Sequence, residues 1–207
     1  MEQIVNLLLQ QLSNQSWLEV VAVILALFYV WLAAEQSIWC WPCALASTAL
    51  YTYVFWEVTL PFHAMLNVYY LLMAIYGWQQ WQKNSGQNDS IQSWPVRSHI
   101  WSIFLLTVLS LIISAVGSSI FDTEYVYLDA FITVFSVFTT VLVARKVREN
   151  WLYWIVIDAV AVYLYFAKGL VLTGLLFVIY SLFAIYGYMQ WSKSKVDNYD
   201  QSAAIKN

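Results

Sequence analysis

AIYGWQQWQK at residues 74–83 and AIYGYMQWSK at residues 184–193 are identical at seven of ten positions. The offset between the two segments is 110 residues, and it continues towards the N-terminus without a gap. Further pairs along this offset are Trp41 with Trp151, Tyr70 with Tyr180, and the acidic residues Glu19 with Asp129. We interpret the pattern as an internal duplication, which makes the duplicated segment the basic unit of the fold.

The composition of the chain excludes an ordinary water-soluble globule. Of its 207 residues, 62% are hydrophobic and only 10% are charged, whereas soluble domains carry about 25% charged residues. So few charges cannot cover a surface in water, so lipid must surround much of the chain. The formal net charge of −3 provides no basic field, which argues against nucleic acid as a partner.

Seven segments are long and apolar enough to cross a bilayer, which requires about 20 residues each. They are residues 17–34, 38–56, 60–81, 98–119, 125–144, 150–166 and 170–191. Open strands cannot span lipid, and the continuous apolar run from Val20 to Leu27 lacks the alternation of a membrane barrel. The sequence therefore predicts an all-α integral membrane protein with seven transmembrane helices.

The duplication divides these helices into a three-plus-one-plus-three arrangement. Within a single membrane domain of residues 1–207, we expect a first three-helix repeat at 17–82, a linker helix at 98–119 and a second repeat at 125–192. Three helices plus one linker make an even number, so both repeats insert the same way up. This is the parallel-repeat arrangement of sugar transporters of the SWEET type.

The positive charges predict the orientation of the chain. Eight lysines and arginines fall on the side of the 3–4 loop, the 5–6 loop and the C-terminus, and only Lys168 falls on the other side. The eight are Lys83, Arg97, Arg145, Lys146, Arg148, Lys193, Lys195 and Lys206. We therefore expect a cytoplasmic C-terminus and an external N-terminus. Tryptophans near span ends are expected at the lipid–water interface, among them Trp17, Trp56, Trp81, Trp101 and Trp191.

The sixth span carries an acid where lipid should exclude one, and such residues mark functional sites. Trp151, Trp154 and Asp158 are spaced i, i+3 and i+7, which places them within about 60° on one helix face. Two indole rings and a carboxylate suit a flat organic cation through cation–π contact and charge pairing. The alternative is that Asp158 is hydrogen-bonded to a neighbouring helix and that the tryptophans are packing residues.

Polar residues also lie within the third span. Asn67 and Tyr70 share a face with the small residues Ala74 and Gly77. The polar pair can hydrogen-bond a ligand, whereas the small pair also suits close helix contact. The repeat counterparts of Asp158, Asn67 and Tyr70 are Thr48, Phe177 and Tyr180. One asymmetric ligand held by two similar halves would produce such differences, and so would drift, so Thr48 and Tyr180 join the candidate binding residues.

No feature of the sequence indicates an enzyme, a cofactor or a metal site. Cys40 and Cys43 form one C-x-x-C pair without a second pair, and we interpret them as packing residues at a helix start. Nucleophile, zinc and nucleotide motifs are missing. His99 lies near a span end and is expected at the membrane interface.

Over roughly residues 17–193 the sequence resembles the Pnu family of bacterial vitamin transporters. The motifs that carry the resemblance are Glu149-Asn150-Trp151-Leu152-Tyr153-Trp154 with Asp158, Leu164-Tyr165 followed by Lys168-Gly169-Leu170, the two Tyr-Gly-x-x-x-Trp span endings, and Trp41-Pro42. The resemblance implies a homotrimer in the bacterial inner membrane that moves an unphosphorylated vitamin by facilitated diffusion. It also implies a cytoplasmic kinase that traps the solute.

By the same resemblance, Trp151, Trp154 and Asp158 line the binding site together with Asn67 and Tyr70. The nicotinamide riboside branch often has Gln at the position of Asn67 and Asn at that of Asp158. These departures make thiamine the first choice of substrate and nicotinamide riboside the alternative. A membrane receptor or assembly subunit that binds a ligand without passing it is a third interpretation.

Overall fold

The chain is all-helical in the computed structural model, which describes residues 16–57, 61–83, 90–120 and 125–204. Within these ranges it forms seven α-helices and no β-strand. The helices are α1 (Trp17–Ala34), α2 (Cys40–Glu57), α3 (Pro61–Lys83), α4 (Val96–Ile120), α5 (Val126–Ala144), α6 (Asn150–Ala167) and α7 (Val171–Ala204).

Most of these helices are long and apolar enough to cross a bilayer. The five that satisfy both criteria are Trp17–Ala34, Val96–Ser119, Val126–Ala144, Asn150–Ala167 and Val171–Lys195. The remaining two, α2 and α3, have 18 and 23 residues, or about 27 and 35 Å of helix at 1.5 Å per residue. The predicted class, an all-α membrane protein, is confirmed, with seven helices among the described residues, whereas the 3+1+3 division into repeats stays a prediction.

The turns after α1 and after α5 have the same backbone conformation. Gln36 and Lys146, which the offset of 110 pairs, have positive φ values of 57° and 52°. In each turn the next residue donates its backbone N–H to a carbonyl five positions earlier at 2.9 Å, as in a Schellman helix end. The match in backbone geometry supports the duplication, although the repeat bounds 17–82 and 125–192 stay a prediction.

The two paired acids at the starts of α1 and α5 have different local roles. Glu19 belongs to a capping box with Ser16, in which the Ser16 hydroxyl accepts from the Glu19 N–H and the Glu19 carboxylate accepts from the Ser16 N–H. Asp129 instead accepts a hydrogen bond from Lys168 Nζ at 3.2 Å. Both acids therefore have a partner in the protein.

The described helices form two compact units. The first contains α1, α2 and α3 together with α7 from Tyr186 onward, and the second runs from Ile91 to Ile185. In the first unit α2 packs against both α1 and α3, and in the second α5 packs against both α4 and α6.

Tryptophan rings fill the core of the first unit. Trp41 and Trp81 meet edge to face with centroids 5.5 Å apart, and Trp81 lies 6.3 Å from Trp191. The indole N–H of Trp191 donates to the Ala33 carbonyl at 3.1 Å. Trp81 and Trp191 are 3% and 0% exposed, so the prediction that they lie at the lipid interface is wrong. Their indole rings instead pack inside the unit.

The second unit is built around the start of α6. Its core cluster joins α5, the turn after it and one face of α6 through Phe135, Leu142, Val147, Tyr153 and Ile157. Because two of these side chains come from α6, that helix is held against α5 over its first half.

Candidate functional site

Helix α6 has three faces with different surroundings. One face is exposed and carries Leu152, Val156 and Tyr163. A second face enters the core through Tyr153 and Ile157. The third face, between these two, carries Trp151, Trp154 and Asp158. The predicted stripe is therefore separate from the exposed face, and it borders the packing face, since Trp154 also packs against the core cluster.

Asp158 is a buried acid without a partner among the described residues. Its exposed fraction is 3%, and no described group forms a hydrogen bond or ion pair with its carboxylate. The alternative that Asp158 is hydrogen-bonded to a neighbouring helix is therefore not supported by the described residues. Burial of a polar group without a hydrogen bond is costly, so a carboxylate kept in this state is suited to a ligand that completes its hydrogen bonding.

The tryptophans of the stripe differ in exposure. Trp151 is buried, whereas Trp154 is half-buried. The counterpart of Trp151 in the first repeat is Trp41, another buried tryptophan, and the counterpart of Trp154 is Ala44. Trp154 is thus the ring that only the second repeat has, and it lies next to Asp158 on the stripe.

The other predicted site residue of the second unit, Tyr180, belongs to an aromatic cluster on α7. Its ring meets that of Phe177 edge to face at 5.6 Å. Phe177 in turn stacks on Tyr165 of α6, with centroids 5.1 Å apart and planes 18° from parallel. Tyr165 was not among the predicted binding residues.

The remaining predicted residues lie in the first unit. Thr48 is half-buried on α2, and its carbonyl accepts from the Thr52 hydroxyl at 2.7 Å. Asn67 and Tyr70 are half-buried on α3, on the face that continues to Gly77. At Gly77 this face packs against the ring of Trp41, so the small residue there serves close helix contact.

A polar cluster at the start of α6 was not predicted. The Glu149 carboxylate accepts hydrogen bonds from the Ser93 hydroxyl, from the Trp94 N–H at 3.2 Å and from Arg148 Nη2 at 3.0 Å. His99 lies beside it, with Nε2 3.9 Å from Glu149 Oε2. The available sequence signal was an acid directly before a helix start, since two of its three donors lie more than fifty residues away.

His99 links this cluster to α6. Its Nδ1 lies 3.0 Å from the Tyr153 hydroxyl, and its side chain is 14% exposed. His99 is therefore largely enclosed by protein, and its position at the membrane interface stays a prediction. Backbone bonds complete the connection, since Gln92 donates to the Lys146 carbonyl and accepts from the Arg148 N–H, both at 2.9 Å. Residues 91–94 are thus fixed to the end of α6 that leads into the stripe.

Glu149 should make the stability of the protein depend on pH. Burial alone would raise the pKa of Glu149, but hydrogen bonds from Ser93, from the backbone N–H groups of Glu149 and Trp94, and from Arg148 lower it. A carboxyl whose folded pKa is lowered stabilises the fold fully above its unfolded pKa, and this stabilisation is lost as the pH falls through the folded pKa. Glu149→Gln should therefore lower the thermal unfolding midpoint at neutral pH, with a loss of about 1.5–3 kcal/mol in unfolding free energy.

The difference between wild type and Glu149→Gln should be smaller at about pH 3 than at neutral pH, because the carboxyl of the unfolded chain is then largely protonated and the stabilisation by the charge declines as the pH falls towards the lowered folded pKa. Thermal unfolding of the purified protein in detergent measures both conditions. The exposed Glu35→Gln is the control and should change the unfolding free energy by less than about 0.5 kcal/mol. An equal effect of Glu149→Gln at both pH values would contradict the role of the charge.

Comparison with known proteins identifies the class of this architecture. Residues 16–193 match the sequence profile of the family described as "Nicotinamide mononucleotide transporter". The chain belongs to this family. It is accordingly a multi-pass membrane transporter and not an enzyme, and the predicted resemblance to Pnu proteins is confirmed.

Several known transporters are similar to the chain over most of its length. The nicotinamide riboside transporter PnuC of Escherichia coli K12 is 26% identical, with 86% of each chain covered. The riboflavin/roseoflavin transporter RibM of Streptomyces davaonensis is 28% identical, with 84% of each covered. A crystal structure of the vitamin B3 transporter PnuC has a TM-score of 0.67 and 24% identity, and covers 92% of this chain and 87% of its own. The protein shares the fold of that transporter.

Proposed function

We propose that this protein carries nicotinamide riboside across the bacterial inner membrane by facilitated diffusion. The observation that carries the proposal is Asp158, a 3% exposed carboxylate without a described partner on the same helix face as Trp154. Nicotinamide riboside has a flat pyridinium ring. Its positive charge suits the carboxylate, and its ring suits an indole face through stacking and cation–π contact.

The choice of nicotinamide riboside rests on the relatives as well as on charge. The relatives compared above are named for nicotinamide riboside or for riboflavin, which favours the alternative substrate over thiamine, the first choice from the sequence. Riboflavin has no cationic ring, so the buried carboxylate favours nicotinamide riboside between these two. Thiamine belongs to the same chemical class and is therefore the informative competitor.

Uncoupled transport is supported by the state of the acids. Proton relays in pumps and transporters are built from chains of ionisable groups within the membrane. Glu19 caps α1 and Asp129 pairs with Lys168, so in the described spans Asp158 is the buried carboxylate without a partner. Homotrimer assembly and trapping of the solute by a cytoplasmic kinase stay predictions from the family resemblance.

Purified protein in liposomes should equilibrate nicotinamide riboside without any pH, sodium or electrical gradient. The internal concentration should rise to the external concentration and not exceed it. Thiamine should compete more weakly than unlabelled nicotinamide riboside. Radiolabelled uptake against protein-free liposomes measures both. Accumulation above the external concentration under an imposed proton gradient would contradict facilitated diffusion, and uptake of thiamine without uptake of nicotinamide riboside would overturn the substrate.

We also propose that the C-terminus is cytoplasmic and the N-terminus external, on the basis of eight positive residues against one. A reporter fused after Asn207 should resist external protease in whole cells and be cut in inverted vesicles. Cleavage in whole cells would reverse the assignment.

A further inference from the structure

The α6 stripe continues beyond Asp158 to another aromatic residue. Tyr165 is seven residues further along the helix, which is about 10 Å along the axis and within about 20° of Asp158 around it. Tyr165 also lies within about 20° of Trp154 around the helix axis, because the two are eleven residues, or about three turns, apart. Trp154, Asp158 and Tyr165 thus form one line on α6, with the carboxylate between two aromatic rings.

The ring of Tyr165 is held by α7. Phe177 stacks on it at 5.1 Å, and Tyr180 meets the edge of Phe177 at 5.6 Å. The two helices approach closely here, because a Cβ atom at Gly174 would lie 3.2 Å from the ring of Phe166. Both rings of the stacked pair are only half-buried, so their outer surfaces are not fully covered by protein.

The duplication singles out the same position. Phe177 is the counterpart of Asn67, and Tyr180 is the counterpart of Tyr70. The two repeats thus keep a tyrosine at one position and differ at the other, where the second repeat has a ring that stacks on Tyr165. A contact to one asymmetric solute would produce such a difference between the two repeats.

We propose that Tyr165 and Phe177 form a second aromatic contact for the transported solute, one step along α6 from Asp158. The inference rests on the proposed function, since it needs a solute with a flat aromatic ring. In the proposed orientation the pair lies between Asp158 and the external surface, near the turn that contains Lys168. A pyridinium ring that leaves the external solution would stack on this pair before or while its charge meets Asp158.

The test separates the aromatic ring from simple apolar volume. Tyr165→Leu and Phe177→Leu keep an apolar side chain but remove the ring, Tyr165→Phe keeps the ring, and Tyr163→Leu is the matched control on the exposed face of α6, where Tyr163 is 63% exposed. Titration calorimetry with nicotinamide riboside should show about 3- to 10-fold weaker binding for the first two variants. Tyr165→Phe and Tyr163→Leu should stay within about 2-fold of wild type.

Thermal unfolding with and without nicotinamide riboside distinguishes contact from packing. If Tyr165 or Phe177 contacts the solute, its replacement by leucine should reduce the rise in unfolding midpoint that the solute produces. If the residue only packs, its replacement should lower the midpoint measured without solute. Equal binding by Tyr165→Leu and Tyr163→Leu would overturn the inference, and so would a loss in Tyr165→Phe as large as in Tyr165→Leu. If wild type itself fails to bind nicotinamide riboside, the proposed function is wrong and the inference falls with it.

Discussion

Asp158→Asn should weaken the binding of nicotinamide riboside by about 10- to 100-fold, the equivalent of roughly 1.5–3 kcal/mol for a hydrogen bond to a charged group. The substitution preserves the shape of the side chain but removes the charge that attracts the pyridinium ring. The effect should be large because Asp158 is buried and has no described protein group that already neutralises it.

Calorimetric titration at neutral and acidic pH measures this effect. Wild-type binding should weaken as the pH falls, since only the ionised carboxylate attracts a cation, whereas Asp158→Asn should respond much less. Asp129→Asn removes a carboxylate that is 53% exposed and paired with Lys168, so it should leave affinity nearly unchanged. If Asp158→Asn binds as tightly as wild type with the same pH response, Asp158 is a structural residue.

Gly77→Ala should severely reduce the amount of folded protein. A methyl group at Gly77 would overlap the six-membered ring of Trp41. That ring is buried and is held by Trp81 and Tyr29, so it has little room to move. Overpacking of a core costs about 1–3 kcal/mol or more, which exceeds the gain of about 0.5–1 kcal/mol that alanine normally provides in a helix.

The matched control for Gly77→Ala is Gly117→Ala on α4. Its added Cβ would meet only Val126 Cγ1 at 3.2 Å, a single methyl group, so its unfolding midpoint should stay near that of wild type. Trp41→Phe should partly restore Gly77→Ala, because the smaller ring leaves space for the methyl group. Unfolding midpoints in detergent give the comparison, and a Gly77→Ala protein as stable as wild type would show that the two helices can separate without loss.

The sequence predicted the helices well where they contact lipid. The first span was expected at residues 17–34 and α1 is Trp17–Ala34, because apolar side chains report directly on a lipid environment. The last span was expected to end at residue 191, yet α7 continues to Ala204. Its final turns are polar, and hydropathy detects only the apolar part of a helix.

Side-chain environments were harder to predict than helices. The spacing of Asp158 and Trp154 was sufficient to find the stripe, since helical periodicity fixes which residues share a face. The contacts of Glu149 depend on Ser93 and Trp94, more than fifty residues away, and periodicity carries no information on such pairs. Composition also does not distinguish a tryptophan that contacts lipid headgroups from a buried one such as Trp191, whose ring is enclosed by other helices.

The matching turns at Gln36 and Lys146 bear on how this chain evolved. A left-handed backbone is unfavourable for any residue with a side chain, and these two side chains have nothing chemical in common that favours it. Independent origin would require the same costly conformation to arise twice at equivalent positions. We therefore propose that the turn was inherited from an ancestor of about half the present length, and that selection has since kept its path while its amino acids changed. On this proposal, the ancestor would have had the bend between its first and second helices before any linker helix joined two copies.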